Sequence, residues 1–193
     1  MLKRIYAWCV AAADKPYALW ILAAVSFAES SFFPVPPDVI LAPMALAQPK
    51  RAWLFAGVCT IASVVGGLLG YAIGALLYDS VGRWLIEFYH LGNGVEAFRE
   101  SYAKIGALII LAKGVTPIPY KLVTITSGFA GYNIWLFILF SIITRGARFY
   151  IEAIVLNRWG DQIRERIERH LTLFVILFLV VLVAGFYVAL KLL

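Results

Sequence analysis

The sequence predicts an all-α integral membrane protein. Its plan is an inverted repeat of a re-entrant helical hairpin plus a transmembrane helix, with amphipathic interfacial helices and a C-terminal transmembrane helix. Three observations carry this. The 193 residues are 63% hydrophobic and 15% charged, with a mean hydropathy of +0.87, which is more apolar surface than a soluble domain of this length can bury. The apolar runs come in two lengths, one long enough to cross a bilayer and one not. Finally, the segment Pro34-Val35-Pro36-Pro37-Asp38 is echoed by Pro117-Ile118-Pro119-Tyr120-Lys121, the same break with the opposite charge.

Taken in order, Met1 to Asp14 contains Lys3 and Arg4 but is punctuated by charge and has no clear cleavage site, so the mature chain is expected to start near Met1. Tyr17 to Phe33 is apolar until Pro34, Pro36 and Pro37 stop it, and only Val39 to Ala47 follows before Gln48-Pro49-Lys50-Arg51. A hydrocarbon core of about 30 Å needs roughly 20 helical residues. The second arm is too short, so residues 17–47 read as a hairpin that enters and leaves on one side. Residues 52–78 are long enough to span. Residues 79–104 form an amphipathic linker, where Trp84, Phe88, Leu91, Val95, Phe98 and Tyr102 follow a three-four spacing interrupted by Gly92-Asn93-Gly94. Residues 105–131 repeat the hairpin around Pro117 and Pro119, and residues 132–156 span. Residues 157–170 are a second surface helix, with Trp159, Ile163 and Ile167 on one face, and residues 171–190 cross last.

The repeat extends past the prolines. Trp53-Leu54-Phe55 opens the first span 17 residues after Pro36, and Trp135-Leu136-Phe137 opens the second 16 residues after Pro119. One crossing separates the two hairpins, so they enter from opposite faces and their breaks meet near the midplane, as in inverted-repeat transporters. Nine Lys and Arg fall in the loops on the side of the N-terminus (Lys3, Arg4, Lys15, Lys50, Arg51, Arg158, Arg164, Arg166 and Arg169) against four opposite (Arg83, Arg99, Lys104 and Lys191), which places the N-terminus in the cytoplasm. The formal charge of +6 reflects these loops, and nucleic acid is not an expected partner. Cys9 and Cys59 lie in apolar surroundings with no CxxC spacing or ligand cluster, so neither a disulfide, a metal nor a cofactor is expected. His90 and His170 fall on the surface helices and carry no assigned role.

Chemistry is concentrated in charges at membrane depth, where an ionisable group is costly and functional by default. Glu29 shares a polar stripe with Ser26 and Ser30, and Asp38 opens the returning arm of the first hairpin. Glu29 has a structural alternative as a hydrogen-bond partner of the broken backbone, and Asp38 as the N-cap of the short arm. Lys113 and Lys121 flank the second break. They are expected either to pair with Glu29 or Asp38 or to hold an anion such as phosphate. Arg145, Arg148 and Glu152 lie on one face of the second span; Arg148 and Glu152 have the spacing of a helix ion pair, and Arg145 is deeper. Ala62, Gly66, Gly70 and Gly74 recur every four residues as a packing seam.

These residues together resemble the DedA family, also called the VTT or SNARE-associated family, and most closely its small YqaA-like branch. The matching pieces are Phe27-Ala28-Glu29, Phe33-Pro34-Val35-Pro36-Pro37-Asp38, Gly66, Gly70-Tyr71 and Gly74, Gly106-Ala107, Thr116-Pro117-Ile118-Pro119-Tyr120-Lys121, and Gly128 to Gly131, within Tyr17 to Glu152. The resemblance implies two inward-pointing re-entrant hairpins in a bacterial inner membrane. It also implies a role in moving lipids between leaflets, such as a polyprenyl phosphate carrier or phospholipids, with proton coupling in some members. By that resemblance Glu29 and Asp38 match the family's essential acids, and Lys113 and Lys121 take the place of its two arginines. Here lysines flank Pro-x-Pro where the family has arginines around a single proline, so substrate and direction are not carried over. The expected function is a lipid translocator taking a phosphate headgroup, with Glu29, Asp38, Lys113, Lys121, Arg145 and Arg148 as substrate or proton-coupling residues. The alternative is a non-transporting assembly or envelope-homeostasis factor in which the charges form a structural cluster. An enzyme acting on lipid phosphates lacks a nucleophile-base pair or metal cluster beside the basic residues.

Overall fold

The computed structural model describes residue 13 and residues 15–33, 35–82, 92–112 and 119–160. Outside them lie Pro34, Lys113, Pro117, His90, His170, the rest of the N-terminus, residues 83–91, most of the second surface helix and the whole C-terminal span. Among the described residues all regular structure is helical: α1 (Pro16–Ser31), α2 (Asp38–Ala47), α3 (Ala52–Leu77), α4 (Gly92–Ala112), α5 (Tyr120–Phe129) and α6 (Ile134–Gly160). A 3-10 turn, Pro49–Arg51, leads into α3, and a π turn, Tyr78–Gly82, extends it.

Punctuation in the sequence sets most of these ends. Pro16 occupies the first turn of α1, where its missing N–H costs nothing. The helix stops at Ser31, short of the prolines, with the N–H groups of Phe32 and Phe33 both donating to the Ala28 carbonyl. Pro37 is the N-cap of α2, and its carbonyl accepts from Ile40 and Leu41. The expected capping role for Asp38 is not seen: it is the first helical residue, and its carboxylate reaches another helix instead. Gly131 ends α5 at φ +66°, where a side chain is strained; its N–H donates to Gly128 and that of Tyr132 to Ser127. Two residues on, Asn133 caps α6 by accepting from the N–H groups of Trp135 and Leu136. The sequence drew a boundary at residue 104, but α4 runs through it unbroken to Ala112, and Gly92-Asn93-Gly94 opens this helix rather than interrupting it. Residues 92–112 contain no proline, so nothing forces a break there.

Packing registers give the directions of the helices. Ser26 meets Cys59, Ser30 meets Ser63 and Ser31 meets Gly66, contacts 33 to 35 residues apart that rise together, so α1 runs parallel to α3. On the other half, Tyr132 lies beside Tyr102 and Gly106, and Thr144 bonds the Ile110 carbonyl 34 residues away, so α4 runs parallel to α6 at the same offset. The short helices cross over: α2 lies along α6 (Asp38 at Arg148, Leu46 at Gly160), and α5 lies along α3 (Tyr120 at Gly67, Phe129 at Gly74). The long helices oppose each other, with Trp53 against Tyr150 and Ser63 against Arg145. Each half therefore lends its short helix to the long helix of the other.

The small-residue seam makes this possible. A Cβ on Gly66 would collide with the Phe27 carbonyl of α1, and one on Gly74 with the Ile125 carbonyl of α5, so three backbones are in near contact along α3. One apolar core gathers Leu22, Leu41, Met44, Phe55 and Phe149, and a second gathers Tyr102, Ile110, Val123, Tyr132 and Phe137. The outside is apolar too. Trp20 on α1 and Trp135 on α6 are 78% and 76% exposed, and Ile61 and Leu76 on α3, Leu108 on α4 and Ile151 on α6 are exposed as well. Two helices, Pro49–Ser80 with its flanking turns and Ile134–Gly160, are long and apolar enough to cross a membrane, at 32 and 27 residues.

Candidate functional site

Serine, arginine and glutamate side chains meet between the two cores, where α1, α3 and α6 converge. Each arrives for a local reason. Ser26, Glu29 and Ser30 share the face of α1 that the close-packed seam draws onto α3. Ser63 stands on α3 ten residues after Trp53, and Arg145 on α6 ten residues after Trp135, so the opposed long helices bring equivalent levels of the repeat face to face.

The result is a closed ring of hydrogen bonds. Arg145 Nε–H donates to Ser63 Oγ at 2.7 Å, and Arg145 Nη2–H donates to Glu29 Oε2 at 2.7 Å. Ser30 Oγ–H donates to the same carboxylate oxygen at 3.1 Å. Ser30 and Ser63 are 2.6 Å apart, and with the Ser30 proton committed to Glu29, Ser63 supplies the proton between them. The Arg145 side chain is 2% exposed and that of Glu29 15%. The guanidinium lies between the rings of Tyr120 at 4.8 Å and Phe149 at 4.7 Å. Its Nη1 has no hydrogen-bond partner among the described residues, and the two ring faces supply negative charge in its place. The hydroxyls of Tyr120 and Ser141 are buried with no hydrogen-bond partner among the described residues.

A second, more exposed pair joins α2 to α6. Arg148 Nη2–H donates to Asp38 Oδ2 at 2.6 Å, tying α2 to α6, with side chains 36% and 21% exposed. Glu152 stands one turn further along α6, and Asp38 Oδ1 is buried with no hydrogen-bond partner among the described residues.

Of the residues singled out in the sequence, Glu29, Asp38, Arg145 and Arg148 come together, but in pairs the sequence did not predict. The lysines are expected from sequence either to pair with Glu29 or Asp38 or to hold an anion; among the described residues the two acids meet the two arginines of the opposing long helix. The helical Arg148–Glu152 pair likewise gives way to Arg148–Asp38. Lys121 sits in the first turn of α5, half-buried, with no acid in ion-pair range among the described residues, and Lys113 lies outside them. Pro36, Pro37 and Pro119 stand at the starts of α2 and α5. Sequence reasoning gave no role to Ser63, Tyr120 and Phe149. Ser63 had a signal in the small-residue seam; the two rings were indistinguishable from ordinary apolar residues.

No family model matches the chain, and no solved structure matches it. It is 37% identical over 146 residues to an uncharacterized protein of Haemophilus influenzae, which covers 76% of this chain and 75% of that one. It is 32% identical over 163 residues to an uncharacterized protein of Histophilus somni, covering 81% and 83% of the two chains. At that identity and coverage, the chain belongs to the family that these two bacterial proteins represent.

Proposed function

We propose that this protein is a membrane lipid translocator of the DedA type, moving a phosphate-bearing lipid between leaflets of a bacterial inner membrane. In this reading α3 and α6 span, α1–α2 and α4–α5 re-enter from opposite faces, and the N-terminus is cytoplasmic. The opposed long helices, the equal offsets of α1 on α3 and α4 on α6, and the apolar outer surface all support it.

The observation that carries the reading is an asymmetry in the repeat. Asp38 and Lys121 each stand two residues after the equivalent prolines, Pro36 and Pro119. Asp38 has Arg148 as its partner, thirteen residues after Trp135. The residue thirteen after Trp53 is Gly66, which offers no side chain. Lys121 is thus the half of a duplicated ion-pair site without its protein counter-ion among the described residues, and a lipid phosphate supplies the missing charge. The acyl or prenyl chain stays in lipid. Lys113 is placed by the repeat near the same break and completes the headgroup site in this proposal. Because the arginines hold the acids, protonation of Asp38 would release Arg148 and α2, not a lysine.

Purified protein in liposomes with a fluorescent phospholipid or polyprenyl phosphate reporter tests this. Lys121→Gln should abolish leaflet exchange while the protein remains folded, and Lys121→Arg should keep part of it. Normal exchange by Lys121→Gln would overturn the reading. The complete burial of Arg145 between two rings favours one other account, a non-transporting assembly factor whose charges fix the helices; the wild-type protein would then show no exchange. Headgroup hydrolysis in the same vesicles would point to an enzyme.

A further inference from the structure

Three fully buried polar groups beside the Arg145 ring have no hydrogen-bond partner among the described residues: Arg145 Nη1, the Tyr120 hydroxyl and the Ser141 hydroxyl. Their places in the fold bring them together. Along the opposed long helices, Ser63 of α3 meets Arg145 of α6, and Tyr71 of α3 meets Phe137 of α6 with ring centroids 5.3 Å apart. Each contact lies four residues along both helices from Gly67 and Ser141, so the antiparallel register sets Ser141 opposite Gly67. From α5 the Tyr120 oxygen reaches the same glycine: a Cβ on Gly67 would stand 3.1 Å from it. Arg145 follows Ser141 by one turn on the same face of α6, and its guanidinium lies against the Tyr120 ring.

Gly67 therefore has a role that the packing seam does not give it. Ala62, Gly66, Gly70 and Gly74 form the every-fourth row, whereas Gly67 lies off that row against Tyr120 and Thr124 of α5. An unpaired buried hydroxyl is costly, and three such groups at one level call for a common partner. The chemistry of that partner follows from theirs. It accepts from Nη1–H, and it can both accept from and donate to a hydroxyl. It is small, because the room it uses is that of one missing side chain. It is neutral, because Glu29 already balances Arg145 and neither hydroxyl offers a further charge. Water meets all of these conditions, and a phosphate fails on size and on charge.

We propose that Tyr120, Ser141 and Arg145 hold a structural water over Gly67, which carries the hydrogen-bonded ring of Glu29, Ser30, Ser63 and Arg145 across to α5. The start of α5, and Lys121 with it, is then fastened to the long helices through a water rather than through a direct side-chain bond. The inference does not depend on lipid movement.

Radiolytic hydroxyl footprinting of the purified full chain in detergent tests it, since radicals generated from a bound water mark the aromatic ring beside it even where bulk solvent does not reach. In heavy-oxygen water, Tyr120 should take up label several-fold faster than Phe55 and Phe137, which are as deeply buried but lie in the two apolar cores. Ser141→Ala keeps the ring and removes one of the groups that hold the water, so it should slow that labelling. Labelling of wild-type Tyr120 no faster than of the two phenylalanines would overturn the proposal. Thermal unfolding gives a second readout with a sign. A hydroxyl held by water loses a hydrogen bond on removal, so Tyr120→Phe should unfold at a lower temperature than wild type, whereas removal of an unpaired hydroxyl relieves a cost. A Tyr120→Phe protein that unfolds at or above the wild-type temperature would equally overturn it. Footprinting is done on the wild type and stands even where a variant fails to fold.

Discussion

The two ion pairs that join the halves use the same chemistry and differ in what surrounds them. Glu29–Arg145 is closed in a ring with Ser30 and Ser63 and clamped by Tyr120 and Phe149, with the guanidinium almost wholly out of solvent. Asp38–Arg148 is about one-third exposed on the arginine side and has no such ring around it. A pair that is desolvated and held in a hydrogen-bonded ring acts as an anchor, since breaking it strands a charge. A pair that solvent reaches can break or change its partner at smaller cost. The difference teaches that α1 is the fixed element of the first half and α2 its adjustable one.

The largest effect expected from this comparison comes from Arg145. Replacing it with Met leaves Glu29 buried without a cation, a loss of about 3–5 kcal/mol. Arg145→Lys should not restore stability, because one ammonium cannot reach both Ser63 and Glu29 and lie flat between two rings. Combining Arg145→Met with Glu29→Gln should be milder than the sum of the two. Unfolding midpoints of the three variants check this, and simple additivity would break the anchor reading.

Gly66→Ala comes next. It touches no charge but forces α1 off α3 at the Phe27 carbonyl, at about 1–3 kcal/mol. The double-mutant coupling between positions 29 and 145 should fall in that background, while that between 38 and 148 should hold. Equal weakening of both would show that the pairs are not separate. Arg148→Gln should cost about 1 kcal/mol, discounted because solvent reaches the side chain. A loss equal to that of Arg145→Met would erase the distinction between anchor and adjustable joint. Smallest in stability is Lys121→Gln, expected within about 0.5 kcal/mol of wild type since no described acid depends on it, and yet it is the variant expected to abolish lipid movement.

Reading residues in sequence located the parts of this site. The polar stripe of Ser26, Glu29 and Ser30, the Asp38 that follows three prolines, the Arg145–Arg148–Glu152 face and the every-fourth glycine seam are all periodicities that one helix displays by itself. Proline and glycine punctuation likewise marked the ends of α1 and α2 and the turn at Gly131, because missing N–H groups and a left-handed φ are local properties. The lengths of the two long helices followed from their apolar runs.

Which acid meets which base was decided elsewhere. The partners are 116 and 110 residues apart, and their meeting depends on each short helix lying against the long helix of the other half. Local pattern offered a lysine at a matching break or an anion for the acids, and the acid one turn away, Glu152, for Arg148. Docking gave Glu29 and Asp38 arginines instead, because missing side chains at Gly66 and Gly74 let backbones touch and so fix the depth at which α1 and α5 dock on α3. That depth sets Ser63 opposite Arg145, and the two rings that clamp the guanidinium arrive with the helices that carry them. Sequence alone determined the helices, their breaks and the inventory of charge; helix docking alone determined the pairing, because a salt bridge across helices is a property of their register and not of either strand of sequence.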